Sequence, residues 1–489
     1  MKNKFILFIA VLFAMVACDP SEFDDINVDP RQVKEAPTRT LLTFSLQQLP
    51  FTTWNSPIRN VAGYGTEYMA LYSQHLAEGP YPGSSLYNVR NLSWTAWYTG
   101  PLYNLQTIIN LNNEDSKLAD LGNGSKDNQI AVARILKAYY FWFLTDIYGD
   151  IPYSEALKGN EILQPKYDSQ ESIYTDLFKE LKEAQAMIKE DEAGVTGDIL
   201  LGGDMAAWKR FANTTRLFMS LRLMKKDPGK AQAEMTAALT DGVIESNAQN
   251  ITHQFIGGDP NNWNPWYENY SNDNRNDYAL SATLGNYMLG TKDPRVFVYG
   301  EVLNGSEIKP LAYGSSAAKN IPGIYSRIGA SLQADNTEVP IFTYAQVQFV
   351  KAEAVHRGFS IPVEGSAAEL YNSAIKASWE FWGVYDEAKF NEFIADPKVA
   401  YTSGDAGLER IISQKWVHQY LNGFESWTDW RRTGYPVLAP APDAVDTRGI
   451  PRRMGYPSNA KALNEKGYTE AVARQGADDN YTRVWWDVQ

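Results

Sequence analysis

The sequence predicts a mainly α-helical protein in which paired helices are separated by long irregular loops. Several segments repeat apolar residues at intervals of three and four, the spacing that places them on one face of a helix. Most of these segments stop at a glycine or at Asn-Gly, which commonly end helices. The stretches 79–91, 245–280 and 300–342 lack that spacing and are rich in aromatic residues, which favours functional loops over disordered ones.

The first two strong helices lie in the first half of the chain. One follows Asp127, the predicted N-cap, and carries apolar residues at helical spacing over 132–147 before Gly149 interrupts the pattern. The next is predicted to begin at Asp168, because Asp168 and Glu171 have the spacing of a capping box.

Four further helices are predicted later in the chain. One covers 204–225, the segments 344–357 and 367–382 form a helical hairpin, and the last covers 408–421. Helices of this length, with alanine where two axes approach, predict a scaffold of stacked hairpins of the tetratricopeptide type, although no clean 34-residue consensus repeats. The long loops would extend from this scaffold to form a binding face.

The N-terminus has the pattern of a secretory signal peptide. Lys2 and Lys4 precede the apolar run 5–17, which would rise only about 20 Å as a helix and so could not cross a bilayer core of about 30 Å. The run stops at Cys18, the only cysteine in the chain, and 15–17 resemble a bacterial lipobox. We therefore expect residues 1–17 to be removed and Cys18 to be lipidated, since a single cysteine cannot close an internal disulfide.

The residues after Cys18 are predicted to form an acidic tether over 18–35, because they are poor in aliphatic side chains. An acidic run in this position resembles a surface-export signal. No long low-complexity linker follows, so 36–489 are predicted to form one α-rich domain. The formal net charge of −13 argues against nucleic acid as a partner.

No catalytic or metal-binding motif stands out. The four histidines have no metal-ligand spacing, and the sequence contains no nucleophile elbow, P-loop or dinucleotide fingerprint. We expect no metal, no cofactor and no enzymatic activity. Arg431 and Arg432, which follow Trp427 and Trp430, are interpreted as structural salt bridges and stacks at a helix end.

Two loop segments have the composition of a sugar-binding surface. Residues 261–278 hold seven asparagines and five aromatic rings, and 81–88 have a similar character. An aromatic ring can stack on the apolar face of a pyranose, and amide side chains both donate to and accept from its hydroxyls. The predicted ligand-binding residues are Trp263, Trp266, Tyr267, Asn269, Tyr270, Tyr81, Tyr87 and Gln74. Because Pro265 disfavours a helix at this point, we expect the rings to be displayed on a loop.

The order of several segments, together with the lipobox, resembles the SusD/RagB family of outer-membrane nutrient-binding lipoproteins, specifically its SusD-like group. The matching segments are ARILKAYYFWFLTDIYGDIPYSEAL at 133–157, PKYDSQESIYTDL at 165–177, WKRFANTTRLFMSLRL at 208–223, DPR at 293–295, PIFTYAQVQFVKAEAVHRG at 340–358, ISQKWVHQYLNGFESWTDWRRTGYP at 412–436 and VWWD at 484–487. The resemblance spans essentially the whole chain after the signal peptide.

This resemblance implies a surface-exposed, lipid-anchored protein of the outer membrane. Such a protein would capture oligosaccharides and deliver them to a SusC-like TonB-dependent transporter without doing chemistry. Three alternatives stay open at this point: capture of peptides, a lipid-anchored all-α glycoside hydrolase, and a helix-repeat adaptor that binds only protein. The resemblance carries over no individual binding residue, so the predicted site rests on composition and loop position.

Overall fold

Helices make up most of the ordered chain. The computed structural model describes residues 36–57, 66–89 and 91–488. The predicted signal peptide 1–17, Cys18 and the tether 18–35 lie outside the described residues. The helices in chain order are α1 (Thr38–Gln47), α2 (Glu67–Tyr72), α3 (Thr95–Trp97), α4 (Tyr103–Asn113), α5 (Lys126–Tyr148), α6 (Gln170–Met187), α7 (Met205–Leu223), α8 (Pro228–Asp241), α9 (Pro265–Tyr267), α10 (Ala282–Gly290), α11 (Val296–Tyr299), α12 (Tyr344–His356), α13 (Ala367–Phe381), α14 (Glu387–Ala395), α15 (Gly404–His418), α16 (Gly423–Thr433), α17 (Ala460–Leu463) and α18 (Glu465–Gln475).

The first two predicted helices, α5 and α6, are present, but each has a different N-cap. Ser125 caps α5, since its side chain accepts a hydrogen bond from the Asn128 amide, and Asp127 lies inside the first turn. Ser169 caps α6 in the same way, and Asp168 instead accepts hydrogen bonds from the backbone and hydroxyl of Ser154. In both helices a serine caps in place of the predicted aspartate, two residues before it in α5 and one residue after it in α6.

Neighbouring helices pack as antiparallel hairpins. The predicted hairpin is confirmed in α12 and α13, both of which begin with a capping box: Thr343 with Gln346, and Ser366 with Glu369. Helices α4 and α5, α5 and α6, and α7 and α8 also pack along each other. The mainly α, helix-hairpin architecture is therefore confirmed. Among the described residues, no helix has both the length and the apolar character needed to cross a membrane.

A buried ion network joins helices that are far apart in sequence. Arg222 of α7 is 1% exposed, and its guanidinium lies between Asp146 at 3.2 Å and Glu425 at 2.5 Å. The same guanidinium lies over the Trp142 ring, 4.8 Å from its centroid. Burial alone would lower the pKa of Arg222, but the two carboxylates outweigh it and raise that pKa. This cluster ties α5, α7 and α16 together in the core.

The network continues along α16. Arg432 donates to both carboxylate oxygens of Glu353, each at 2.5 Å, and also to Asp429, which pairs with the buried Lys415 at 2.9 Å. The preceding residue, Arg431, stacks on Trp427 with 3.8 Å between the guanidinium carbon and the ring centroid. The interpretation of Arg431 and Arg432 as structural residues is confirmed.

In the part of the chain that the structure describes, three two-stranded antiparallel ribbons lie among the helices. They pair β1 (Leu76–Glu78) with β5 (Tyr278–Leu280), β2 (Ile151–Pro152) with β3 (Tyr167–Asp168), and β4 (Ile251–Gln254) with β6 (Glu338–Phe342). The β1–β5 ribbon matters most for function, because it joins two of the long loops.

A buried carboxylate lies at the end of this ribbon. Glu78 is 8% exposed and accepts a hydrogen bond of 2.6 Å from the Ser85 amide, which holds the loop that follows β1. Glu67 of α2 is also buried, and its charge and that of Glu78 both act on the Tyr68 hydroxyl. Burial raises the pKa of Glu78 to about 7, because the charged form loses hydration.

We predict that Glu78→Gln gains stability relative to the wild type as the pH rises. A carboxyl whose folded-state pKa is raised binds more protons in the folded than in the unfolded protein, so its contribution to stability is lost as pH rises from about 4.5 to about 7. Glutamine keeps the acceptor for Ser85 without the charge. The difference in unfolding free energy between variant and wild type should grow by about 1–3 kcal/mol between pH 5 and pH 8, measured by urea denaturation. The exposed Glu114→Gln serves as the control, and a difference that stays constant with pH would contradict the prediction.

Candidate ligand-binding face

The β1–β5 ribbon brings the two predicted aromatic segments to the same place. Glu78, the last residue of β1, pairs with Tyr278, the first residue of β5. The loop that leaves β1 and the segment that enters β5 therefore emerge at one end of the ribbon. The Gly79 amide continues the ladder by donating to the Asp277 carbonyl at 2.8 Å. We name the segments 79–89 and 261–277 together the loop face.

Tyr81 is the most exposed aromatic ring of the loop face. Its side chain is 67% exposed, and the Arg275 guanidinium lies over the ring, 5.5 Å from the centroid. Arg275 is in turn held by Asp277 at 2.5 Å. The ring is thus fixed from one side by a neutralised cation and is otherwise open to solvent, as stacking on a ligand requires. This contact joins the two segments that the sequence indicated separately.

Trp263 and Tyr267 form a second aromatic pair on the loop face. Their ring centroids are 5.1 Å apart in an edge-to-face arrangement, and both side chains are half-buried. The neighbouring Asn262 is bonded to Gln47 of α1 and to Asp259, so the pair is anchored to the scaffold. Both rings keep part of their surface exposed, and they stay predicted ligand-binding residues.

The expectation that Pro265 excludes a helix was wrong. Pro265 is the first residue of α9, where its missing amide hydrogen is not needed, and the Asn264 side chain caps the helix. A π-helical turn, Glu268–Asn272, continues it. The helical turn directs some rings into the core and others towards solvent, whereas we expected a loop that displays all of them.

Three predicted ligand-binding residues of this segment are consequently buried. Trp266 is 0% exposed and stacks on Tyr270, which is 4% exposed. The Tyr270 hydroxyl donates to the Tyr278 carbonyl at 2.8 Å, and Asn269 is also buried. Trp266, Asn269 and Tyr270 support the loop face from below and present no surface to a ligand.

Tyr87 and Gln74 are also structural in this conformation. The Tyr87 ring is 4% exposed, and its hydroxyl accepts a hydrogen bond from the Ala441 amide at 2.9 Å. Gln74 is 2% exposed, donates to the Ala439 carbonyl and accepts from Thr283, both at 2.6 Å. Both side chains form hydrogen bonds with segments that lie far away in sequence, so neither is available as a first contact for a ligand.

Polar groups that the sequence had indicated only by composition complete the loop face. Asn272 and Asn274 are exposed in the same segment as Arg275. The run of seven asparagines indicated this segment as a binding surface. Which of the seven side chains face solvent depends on the helical turn. Arg275 was not singled out, because a lone arginine in an asparagine run carries no distinguishing sequence signal.

The electrostatics of the loop face disfavour an anionic ligand. Arg275 is neutralised by Asp277, and Glu268 and Asp273 add further carboxyl groups to the same segment. An anionic ligand would meet no unbalanced positive charge in this cluster. Within the described residues, no group of three or more histidine, cysteine or carboxylate side chains is placed to hold a metal ion.

Comparison with known proteins agrees with this architecture. The family model described as "Starch-binding associating with outer membrane", of the SusD-like type, matches residues 30–457. No curated protein matches the sequence.

Solved structures of SusD homologues superimpose on most of the chain. A chitin-binding protein is 28% identical, with a TM-score of 0.73 over 92% of this chain and 100% of its own. A chitin-binding SusD homologue from Flavobacterium johnsoniae is 27% identical, with a TM-score of 0.75 over 92% and 97%. A SusD homologue from Bacteroides uniformis is 25% identical, with a TM-score of 0.77 over 92% and 99%. The chain therefore belongs to the SusD-like family of starch-binding proteins that associate with the outer membrane.

Proposed function

We propose that this protein is a lipid-anchored receptor on the outer membrane that captures neutral oligosaccharides and passes them to a SusC-like TonB-dependent transporter. The observation that carries the proposal is the loop face, where the open Tyr81 ring lies beside Arg275, whose segment also exposes the side chains of Asn272 and Asn274. An apolar ring surface flanked by hydrogen-bonding side chains matches the two kinds of surface on a pyranose. Family membership and two chitin-binding relatives support the same ligand class.

The surroundings of the loop face support capture without catalysis. Glycoside hydrolysis uses two carboxyl groups that flank the scissile bond. Glu78, which accepts from the Ser85 amide of the first loop, is buried, and Asp277 is paired with Arg275. The raised pKa of Glu78 follows from this burial, and its bond to the Ser85 amide gives the side chain a structural role. The protein would thus bind its ligand and release it unchanged.

We predict that Tyr81→Ala weakens oligosaccharide binding about fivefold, the loss expected when one stacked ring is removed. The probes are N-acetylchitohexaose and maltohexaose, which represent the chitin-binding relatives and the starch-binding family. Affinity would be measured by isothermal titration calorimetry on the purified protein. Trp263→Ala and Tyr267→Ala should weaken binding by a similar factor, because part of each ring is exposed.

Tyr103→Ala is the matched control, since Tyr103 lies on α4 and is 50% exposed. It should bind like the wild type. Trp266→Ala removes a fully buried ring and should lower stability by about 3–5 kcal/mol. If Tyr81→Ala, Trp263→Ala and Tyr267→Ala all bind as tightly as the control, the ligand does not use the loop face. Binding of short peptides in place of both hexaoses would favour the peptide alternative.

A separate prediction concerns the anchor. Cys18 is the only cysteine, and it ends the apolar run 5–17. Cells that express the wild type should incorporate a fatty-acid analogue into this protein, whereas Cys18→Ala should stay unlabelled and leave the membrane fraction. Equal labelling of the two proteins would contradict lipidation at this residue.

A further inference from the structure

A polar pocket of about 300 Å³ lies between the first loop and two C-terminal segments. Tyr87 and Asn88 of the loop form one wall, and Asn91, 445–448 and 478–481 contribute the remainder. This volume is at the lower end of the range for small-molecule sites in proteins. Tyr81, Trp263 and Tyr267 do not line it.

Arg448 is held in a fixed position at the pocket. It pairs with Asp446 at 2.8 Å and with Asp479 at 2.6 Å, and its guanidinium stacks on the Tyr481 ring 4.1 Å from the centroid. These bonds use the Nε hydrogen and one hydrogen on each terminal nitrogen. A guanidinium has five N–H groups, so one on each terminal nitrogen keeps no partner among the described residues. The Arg448 side chain is 53% exposed, so a ligand can reach these donors.

The pocket combines hydrogen-bond donors and acceptors. Asn88 is exposed at its wall, and the side chains of Asn91 and Asn480 donate to backbone carbonyls, which leaves their amide oxygens as acceptors. Such a lining suits the hydroxyl groups of a sugar.

Backbone hydrogen bonds connect the pocket to the loop face. The Val445 amide donates to the Leu86 carbonyl at 2.9 Å, and the Asn480 side chain donates to the Val89 carbonyl at 2.9 Å. Tyr81 and Tyr87 are six residues apart on the same loop, a separation of at most about 20 Å even for an extended chain. A ligand that lies on Tyr81 therefore has the pocket within reach of its next sugar units.

We propose that this pocket is a second subsite, in which Arg448 and the neighbouring amides bind neutral pyranose rings of the same oligosaccharide that stacks on Tyr81. The inference rests on the proposed function and extends it, since it makes recognition depend on the length of the glycan. Two subsites on one chain raise the affinity for a long ligand through the effective concentration of the second contact.

The test compares Arg448→Met with the wild type in calorimetric titrations of N-acetylchitohexaose and maltohexaose. Methionine keeps the apolar stem and removes the donors, and because the ion pairs of Arg448 are at the surface their loss should leave the melting temperature unchanged. We expect about tenfold weaker binding of whichever hexaose the wild type binds more tightly. Lys126→Met is the matched control, because Lys126 is 48% exposed and pairs with Asp115 at 2.7 Å. It should bind within about twofold of the wild type.

A second measurement keeps the test decisive if Arg448→Met is unstable. Phenylglyoxal modifies exposed arginines, and saturating hexaose should slow its reaction at Arg448 in the wild type, followed by peptide mass spectrometry. Undiminished reaction at Arg448, or wild-type affinity in a stable Arg448→Met, would overturn the second subsite. If Tyr81→Ala still weakens binding in that case, only the second subsite fails. If the wild type binds neither hexaose, both the second subsite and the proposed capture of these glycans are contradicted.

Discussion

The structure depends on the charges that are buried where its helices cross. Arg222 is enclosed in the core with Asp146 and Glu425, which come from positions 76 and 203 residues away in the chain. A buried guanidinium is tolerated only when carboxylates compensate its charge, so α7 must lie between α5 and α16. Hydrophobic packing alone is compatible with several arrangements of these helices, whereas the ion pairs of Arg222 can form in few of them.

The same constraint explains why the loops can differ in role from the scaffold. The loop face extends from the β1–β5 ribbon, and the contacts that position Tyr81 are made by Arg275 and Asp277 rather than by the core network. The Tyr81 ring and the exposed amides therefore lie on segments that do not contribute to the ion pairs of Arg222. Their exposed side chains can be substituted without disturbing those ion pairs. The proposed function assigns ligand binding to these segments, on a scaffold that the family shares.

The sequence was sufficient for the parts of the fold that depend on local periodicity. Helices α5, α12 and α13 follow from apolar spacing and from Gly149, Gly358 and Gly383, which lie directly after them or within two residues. Cap residues were misplaced by one or two positions, because aspartate and serine are nearly equivalent caps and only the backbone decides between them.

The binding face was predicted less well, for a physical reason. Composition indicated two segments that the β1–β5 ribbon brings together, but the exposure of a ring depends on tertiary packing. Trp263 and Trp266 are three residues apart in the same Asn-rich run, yet one is half-buried beside Tyr267 and the other lies wholly in the core. The spacing of apolar residues would have distinguished the half-buried ring from the buried one only if a helix had been predicted to begin at Pro265. Arg448 gave no signal at all, since two of its partners, Asp479 and Tyr481, lie more than 30 residues away in the sequence.

The central claim, that buried charge fixes the scaffold independently of the loop face, is tested most directly by Arg222→Met. Removing the guanidinium leaves Asp146 and Glu425 buried without compensation, so the unfolding free energy measured with urea should fall by about 3–5 kcal/mol. Lys179→Met, which removes an exposed ion pair with Glu183, should change it by less than about 0.5 kcal/mol. The folded fraction of Arg222→Met should bind oligosaccharide like the wild type. A loss of stability below about 1 kcal/mol for Arg222→Met would contradict the account.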